Sequence, residues 1–305
     1  MTRTKNPICF YRYLTTSAPL LLAFGATACV ERGASDFPDQ TFEDAGDASV
    51  EGDAGERELG GGQGSADMTG TWLRVHETST CVLGNEQLTV TDYLVDVTQS
   101  GPTLTERHRI CAIALSPIIG LSITVPEAAF ASVEFPDVDR GVVSGSALGS
   151  GYTSPTEVSL WGYTSSDPLD DPLPDEPGDV GVLDADGDGN PGVTFGVGGS
   201  CARYVTQRQF IRYQGTFTGP SRLDGGSTAV TESNVLGATS GICATAPSLA
   251  PNDDDNRFVM VRVDGVGGAF DADADGDGAI TCAEVQGLGA QLIASREPAR
   301  ANCSN

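Results

Sequence analysis

Short runs of alternating apolar and polar residues, separated by turn residues, recur along most of the chain after its first quarter. Alternation of period two places every second side chain on one face of a strand. The pattern predicts strands over 71–78, 87–98, 103–115, 120–125, 142–148 and 157–163. Further strands are predicted over 193–197, 202–218, 228–235 and 257–263. Ser100-Gly101-Pro102 and Asp224-Gly225-Gly226 read as turns between them. Helical periodicity is scarce. Pro126-Glu127-Ala128-Ala129-Phe130 can open one short helix, and 281–295 can form another with Val285, Leu288 and Leu292 on one face. Gly287 and Gly289 weaken that second helix. Many short strands at this spacing predict a mainly β fold, an antiparallel barrel or sandwich.

The first residues break this pattern. Arg3, Lys5 and Arg12 precede an apolar run from Ala18 to Ala28, too short to span a bilayer as a helix. The run ends at Ala26-Thr27-Ala28-Cys29, which resembles the lipobox of bacterial lipoproteins, although Ala26 stands where leucine is usual. The resemblance implies a signal peptide over 1–28, a lipid on Cys29, and an exported protein held at an outer membrane, periplasm or cell surface by lipid alone. An ordinary cleaved signal peptide with a spare cysteine is the alternative. Residues 30–67 carry 11 acids and 2 arginines among many Gly, Ala and Ser. Such a segment cannot bury enough apolar surface to offset ordering, so 29–68 is expected to be a disordered acidic tether.

Charge excludes several functions. Lys and Arg total 17 against 42 Asp and Glu, a formal charge of −25, and Lys5 is the only lysine. Nucleic acid is not an expected partner, and anionic lipid head groups repel such a body. Without further lysines there is no Schiff-base amine and no phosphate-loop lysine in the body. His76 and His108 are the only imidazoles, so a three-histidine zinc site cannot form. Each is expected to be a solvated or packed strand residue rather than a catalytic base.

Some of the acidity is patterned. Asp273-Ala-Asp275-Gly-Asp277-Gly278-Ala279-Ile280-Thr281-Cys282-Ala283-Glu284 matches the twelve-residue loop of the EF-hand family. The resemblance implies Ca²⁺ held by Asp273, Asp275 and Asp277, the Ala279 carbonyl, Thr281 directly or through water, and bidentate Glu284. Gly278 permits the sharp turn, and Ile280 and Val285 are the expected apolar residues. Starting the loop at Asp271 instead puts Cys282 at the twelfth position, where it cannot serve. The incoming helix of the family is missing, which brings the segment closer to dockerin-like half-hands. A second run, Asp184, Asp186, Asp188 and Asn190, resembles the Asp-rich loops of thrombospondin-type and integrin-propeller sites. It lacks a twelfth-position carboxylate, because Phe195 stands there, and a plain solvated turn is the alternative.

Gly70-Thr71-Trp72 at the first strand resembles the Gly-x-Trp that opens lipocalins and other small barrels; a Trp packed in any β core is the alternative. After Cys9 and Cys29, six cysteines remain: Cys81, Cys111, Cys201, Cys243, Cys282 and Cys303. In an oxidising compartment they are expected to form three disulfides. Sequence order favours Cys81–Cys111, Cys201–Cys243 and Cys282–Cys303. No Gly-x-Ser-x-Gly elbow and no catalytic constellation is visible. The expected organisation is a β domain over 69–265 followed by the calcium loop and exit helix over 266–305. The expected function is a calcium-binding exported lipoprotein, a non-catalytic binding or structural module whose protein or glycan partner the sequence does not identify. The alternative is a secreted hydrolase or lipocalin-like small-ligand carrier with structural calcium.

Overall fold

The computed structural model describes residues 67–135, 141–144, 148–241, 243–244, 249–294, 296–299 and 303. The expected signal peptide, Cys29 and nearly all of the expected tether lie outside them. Met68, assigned above to the tether, is fully buried, and its carbonyl accepts the indole N–H of Trp72 at 2.7 Å. No helix of the described residues is long and apolar enough to cross a membrane.

The protein is mainly β. Its strands are β1 (Gly70–Val82), β2 (Asn85–Ser100), β3 (Thr103–Leu115), β4 (Ile123–Thr124), β5 (Val142–Val143), β6 (Gly151–Thr153), β7 (Glu157–Trp161), β8 (Val193–Val197), β9 (Cys201–Gly219), β10 (Arg222–Ala238), β11 (Leu249–Pro251) and β12 (Arg257–Arg262). Three single helical turns accompany them: α1 (Glu127–Ala131), α2 (Cys282–Val285) and α3 (Gly289–Leu292). Eight strands close a ring in chain order, β1-β2-β3-β5-β6-β9-β10-β12, with β12 returning antiparallel to β1. The ring is thus an up-and-down barrel, a closure that removes exposed sheet edges. One edge of the long β9 is tiled in succession by β8, β7 and β6, and the other is covered by β10. The β1–β2 hairpin turns at Leu83-Gly84, both with positive φ (52° and 72°), as a tight hairpin matched to strand twist requires.

Alternation places Trp72, Arg74 and His76 of β1 inside the barrel with Tyr152, Tyr213, Leu223, Phe258 and Met260. Leu73 and Val75 point outward, yet they are equally buried. They share a second apolar cluster with Leu94, Val259 and Val263 and with Ala272, Ile280, Val285 and Ile293 of the C-terminal segment. That segment therefore covers the outside of β1, β2 and β12. The expected exit helix is broken into α2 and α3, because Gln286 is extended and Gly287 has φ 79°.

All six expected cysteines are bonded, but two expected pairings are wrong. The bonds are Cys81–Cys303, Cys111–Cys282 and Cys201–Cys243. Local loop closure favoured neighbours in sequence. In the fold, the C-terminal segment lies across the outer face of β3 and then β1, which brings Cys282 to Cys111 and Cys303 to Cys81. Arg296 reinforces the second attachment by reaching Glu77 and Glu86, both buried. The expected turn at Asp224-Gly225-Gly226 is instead strand interior, where Gly225 faces Gly215 beneath Phe258.

Candidate metal loops and the buried polar cluster

The loop after β12 begins with a 3₁₀ turn at Val266–Gly268, then enters the Asp-rich stretch. Carboxylate oxygens of Asp273, Asp275 and Asp277 all lie within 4.8 Å of one another. Backbone donors set this arrangement. Asp273 accepts from the N–H groups of Gly276 (2.7 Å) and Asp277 (3.2 Å) at one oxygen, and of Gly278 (2.8 Å) at the other. Asp277 accepts from Ala279 N–H at 2.8 Å. Gly276 and Gly278 have φ of 74° and 83°, which a side chain would resist. Glu284 closes the loop from its far end, accepting from Ala274 N–H (2.9 Å) and from the N–H (2.8 Å) and hydroxyl (2.9 Å) of Thr281. Thr281 and Glu284 form the reciprocal capping box of α2. Glu284 is not within the 4.8 Å grouping of the three aspartates.

These hydrogen bonds, foremost that from Gly278, hold the Asp273 carboxyl below its ordinary range, and those from Thr281 do the same for Glu284. Both groups are thus kept anionic. Among the described residues, none of the four carboxylates has a basic partner. The donor set, all hard oxygen and uncompensated, fits a hard divalent cation.

The second loop copies the first as far as its seventh position. Asp184 accepts from the N–H groups of Asp188 and Gly189, each at 3.0 Å, matching the bonds of Asp273 to the same loop positions. Asp188 accepts from Asn190 N–H at 2.9 Å, as Asp277 does from Ala279. Oxygens of Asp184, Asp186 and Asp188 again lie within 4.8 Å. Thr194, which the sequence reading passed over, donates its N–H to Asp186 (2.8 Å) and its hydroxyl to Asp188 (2.5 Å). Burial works against the Asp188 charge, but the donors Thr194 and Asn190 outweigh it and lower its pKa. One oxygen of Asp186 is buried with no hydrogen-bond donor, as a cation ligand would be.

A third group lies inside the barrel. Arg74 donates to Glu106 (2.5 Å), to both oxygens of Glu157 (3.1 and 3.0 Å) and to Tyr152 (3.2 Å). Tyr152 also donates to Glu106 at 2.8 Å. His108 faces Glu106 with Nε2 (3.0 Å) and Glu157 with Nδ1 (3.5 Å), so an imidazolium would donate to both. Ligand atoms of Glu106, His108 and Glu157 are close enough together for a metal, but Arg74 already supplies the cation between the carboxylates. His76 lies between Ser227 (2.6 Å) and Tyr213 (3.1 Å), and burial, helped by Arg74, pushes its pKa down to about 3. Ser227 and His76 are at nucleophile–base distance, yet both are buried under the packed interior. Both histidines are thus packed strand residues, as expected. What the alternation did not reveal is that they join an ion-pair network.

Set against protein-family models, curated proteins and solved structures, the chain matches none of them.

Proposed function

We propose that the protein is a calcium-binding exported lipoprotein, a non-catalytic binding or structural module held at a membrane or cell surface by lipid on Cys29. The observation that carries the calcium assignment is the loop 273–284. It gathers three carboxylates without a counter-cation while Ile280 and Val285 seat it in the outer apolar cluster. Asp273, Asp275, Asp277, the Ala279 carbonyl, Thr281 and Glu284 would hold the ion. Bound Ca²⁺ would neutralise mutual repulsion and hold the loop closed over β1 and β12. Export and anchoring rest on the basic n-region, the apolar run and Ala26-Thr27-Ala28-Cys29. Asp184, Asp186, Asp188 and Asn190 are the weaker second site, supported by the unpartnered Asp186 oxygen.

The alternative of a barrel carrier for a small apolar ligand has the closed eight-strand ring and the buried Trp72 in its favour. The interior, however, is filled by Arg74, Tyr152, Tyr213 and Phe258. A hydrolase would need an open path to Ser227 or to the buried carboxylates.

The test is thermal unfolding in a calcium series and in chelator, with mass spectrometry of the N-terminus. Extracellular calcium modules bind at roughly 0.1–1 mM. Saturation at about 100 times the dissociation constant adds about 2.7 kcal/mol, a rise of several degrees for a domain of this size. Asp273→Ala/Glu284→Gln should abolish most of that rise. No shift with calcium sinks the reading. A shift that survives in this variant but vanishes in Asp184→Ala/Asp188→Ala moves the site to the other loop. An unmodified Cys29 refutes the anchor alone.

A further inference from the structure

Among the described residues, β3 pairs with β5 at a single position, Thr103 opposite Val142. α1 packs against β3. Between them lies a groove of about 330 Å³, open to solvent and lined by Asp96, Arg107, Arg109, Ile110, Phe130 and Val133 among others. That volume lies at the lower end of small-ligand sites.

Its two arginines are exceptional. Arg107 and Arg109 project from the same face of β3, two residues apart, and both are exposed. Every other described arginine has a partner. Arg74, Arg208, Arg222, Arg257, Arg262 and Arg296 pair with carboxylates. Arg203 and Arg212 donate to a carbonyl and a hydroxyl. Arg107 and Arg109 have no such bond among the described residues. Acids outnumber bases 42 to 17, so counter-charges are abundant. Asp96 stands directly across from Arg107 but accepts from the Thr71 hydroxyl instead.

We propose that this groove binds a small organic anion whose carboxylate is held by Arg107 and Arg109 and whose apolar body lies on the half-buried Phe130 and Val133. Guanidinium groups present planar donor forks that match a carboxylate, and two of them side by side grip it at more than one edge. These two apolar residues give the rest of the ligand a surface to leave water. The chain as a whole is strongly anionic and repels such a ligand elsewhere, while in the groove two arginines outweigh the single Asp96. None of the described lining residues belongs to either Asp-rich loop, although Cys111, next to Ile110, is bonded to Cys282 of the C-terminal one.

Isothermal titration of the whole protein with octanoate, inorganic phosphate and octyltrimethylammonium tests it, together with Arg107→Gln/Arg109→Gln. Octanoate should bind saturably and more tightly than either other probe. The double variant should bind it roughly tenfold or more weakly, the loss of one charge-assisted hydrogen bond, with an unchanged unfolding midpoint. The proposal is overturned by no octanoate binding or by equal binding to the double variant. It also falls if the ammonium amphiphile or bare phosphate binds as tightly as octanoate.

Discussion

Arg74→Met removes the guanidinium that lies between two carboxylates inside the barrel. Arg74 is fully buried, and the side chains of Glu106 and Glu157 are 0% and 6% exposed. Deleting one partner of such a buried pair costs about 3–5 kcal/mol, because the remaining charge stays desolvated. Arg74 also stacks over Tyr213 at 4.2 Å, which adds roughly 1 kcal/mol to the loss. Against this, Arg74 Nε is buried with no hydrogen-bond partner, a penalty of about 1 kcal/mol or more that the variant escapes. The two smaller effects nearly cancel. Some 3–5 kcal/mol is at least about a fifth of the stability of an ordinary domain, about 5–15 kcal/mol.

The pH dependence distinguishes this account from lost packing. In the native protein burial alone would raise the Glu106 pKa, but Arg74, His108 and the Tyr152 hydroxyl overcome it and hold the carboxyl well below its usual range. A depressed carboxyl contributes stability that is present above its unfolded pKa and is lost as pH falls through the folded one. Without Arg74 the largest influence opposing burial is gone, and the folded pKa rises from its depressed value although His108 and Tyr152 remain. The stability that the depressed carboxyl contributes above its unfolded pKa shrinks accordingly. This loss makes the deficit of Arg74→Met largest near pH 7 and smaller near pH 4. Urea unfolding without reductant, followed by tryptophan fluorescence at the two pH values, measures it. Adding Glu106→Gln and Glu157→Gln to Arg74→Met should recover most of the loss at pH 7, since no buried charge then remains unpaired. A deficit under about 1 kcal/mol at pH 7, or one that is the same at pH 4, would refute the reasoning.

Two further outcomes follow from single contacts. Asp92 lies on β2 beside Gly289 of α3, and burial pushes its pKa up to about 6. Its contribution is present below the unfolded pKa and lost as pH rises through about 6, so Asp92→Asn should stabilise the protein at pH 7 by about 1 kcal/mol after allowance for its partial exposure. Equal unfolding midpoints at pH 7 would contradict this, and the gain should vanish at pH 4. A Cβ on Gly225 would run into the Gln214 carbonyl, Gly215 Cα and the Phe258 ring, two of them backbone atoms that cannot yield. Gly225→Ala should therefore cost about 3 kcal/mol in urea unfolding. Gly226→Ala, whose nearest neighbour is 3.4 Å away, should cost under about 1 kcal/mol, and equal effects would show the contact to be unimportant.

The strands were legible where one face meets solvent. Thr103–Leu115 and Val193–Val197 are found with the predicted bounds; in the first, buried Leu104, Glu106 and Ile110 lie on the face opposite exposed Arg107 and Arg109. β1 is longer than predicted, and its pattern was misleading. The alternation of Trp72, Arg74 and His76 with Leu73 and Val75 reads as an inside and an outside, whereas both faces are covered. The outer cover comes from residues nearly two hundred positions away, which no local period encodes. The same distance explains the disulfides, since proximity along the chain says nothing of where the C-terminal segment lies. The Asp-rich loops were readable because their geometry is made by bonds within a few residues. The Arg74 cluster had one signal that could have been used: a charged residue on the same strand face as an expected core Trp must find a buried partner.

The placement of the calcium-type loop decides what its occupation would be seen to do. A loop hanging from a surface hairpin would order locally and leave the unfolding transition of the body unmoved. Here Ile280 and Val285 lie in one apolar cluster with Leu73 and Val75, whose strand also supplies the inner core. Cys282, the tenth loop residue, is bonded to Cys111 of β3. Glu284 joins the start of α2 to the second residue of the loop through Ala274 N–H. Opening the loop far enough to release an ion would therefore pull on α2 and uncover the outer face of β1. A cation that favours the closed loop must then favour the closed cluster by the same free energy, because linkage works in both directions. Calcium should shift the cooperative transition of the whole barrel rather than add a separate low-temperature step. Two transitions in calcium, with only the first moving, would show that the loop and barrel are uncoupled despite the shared core.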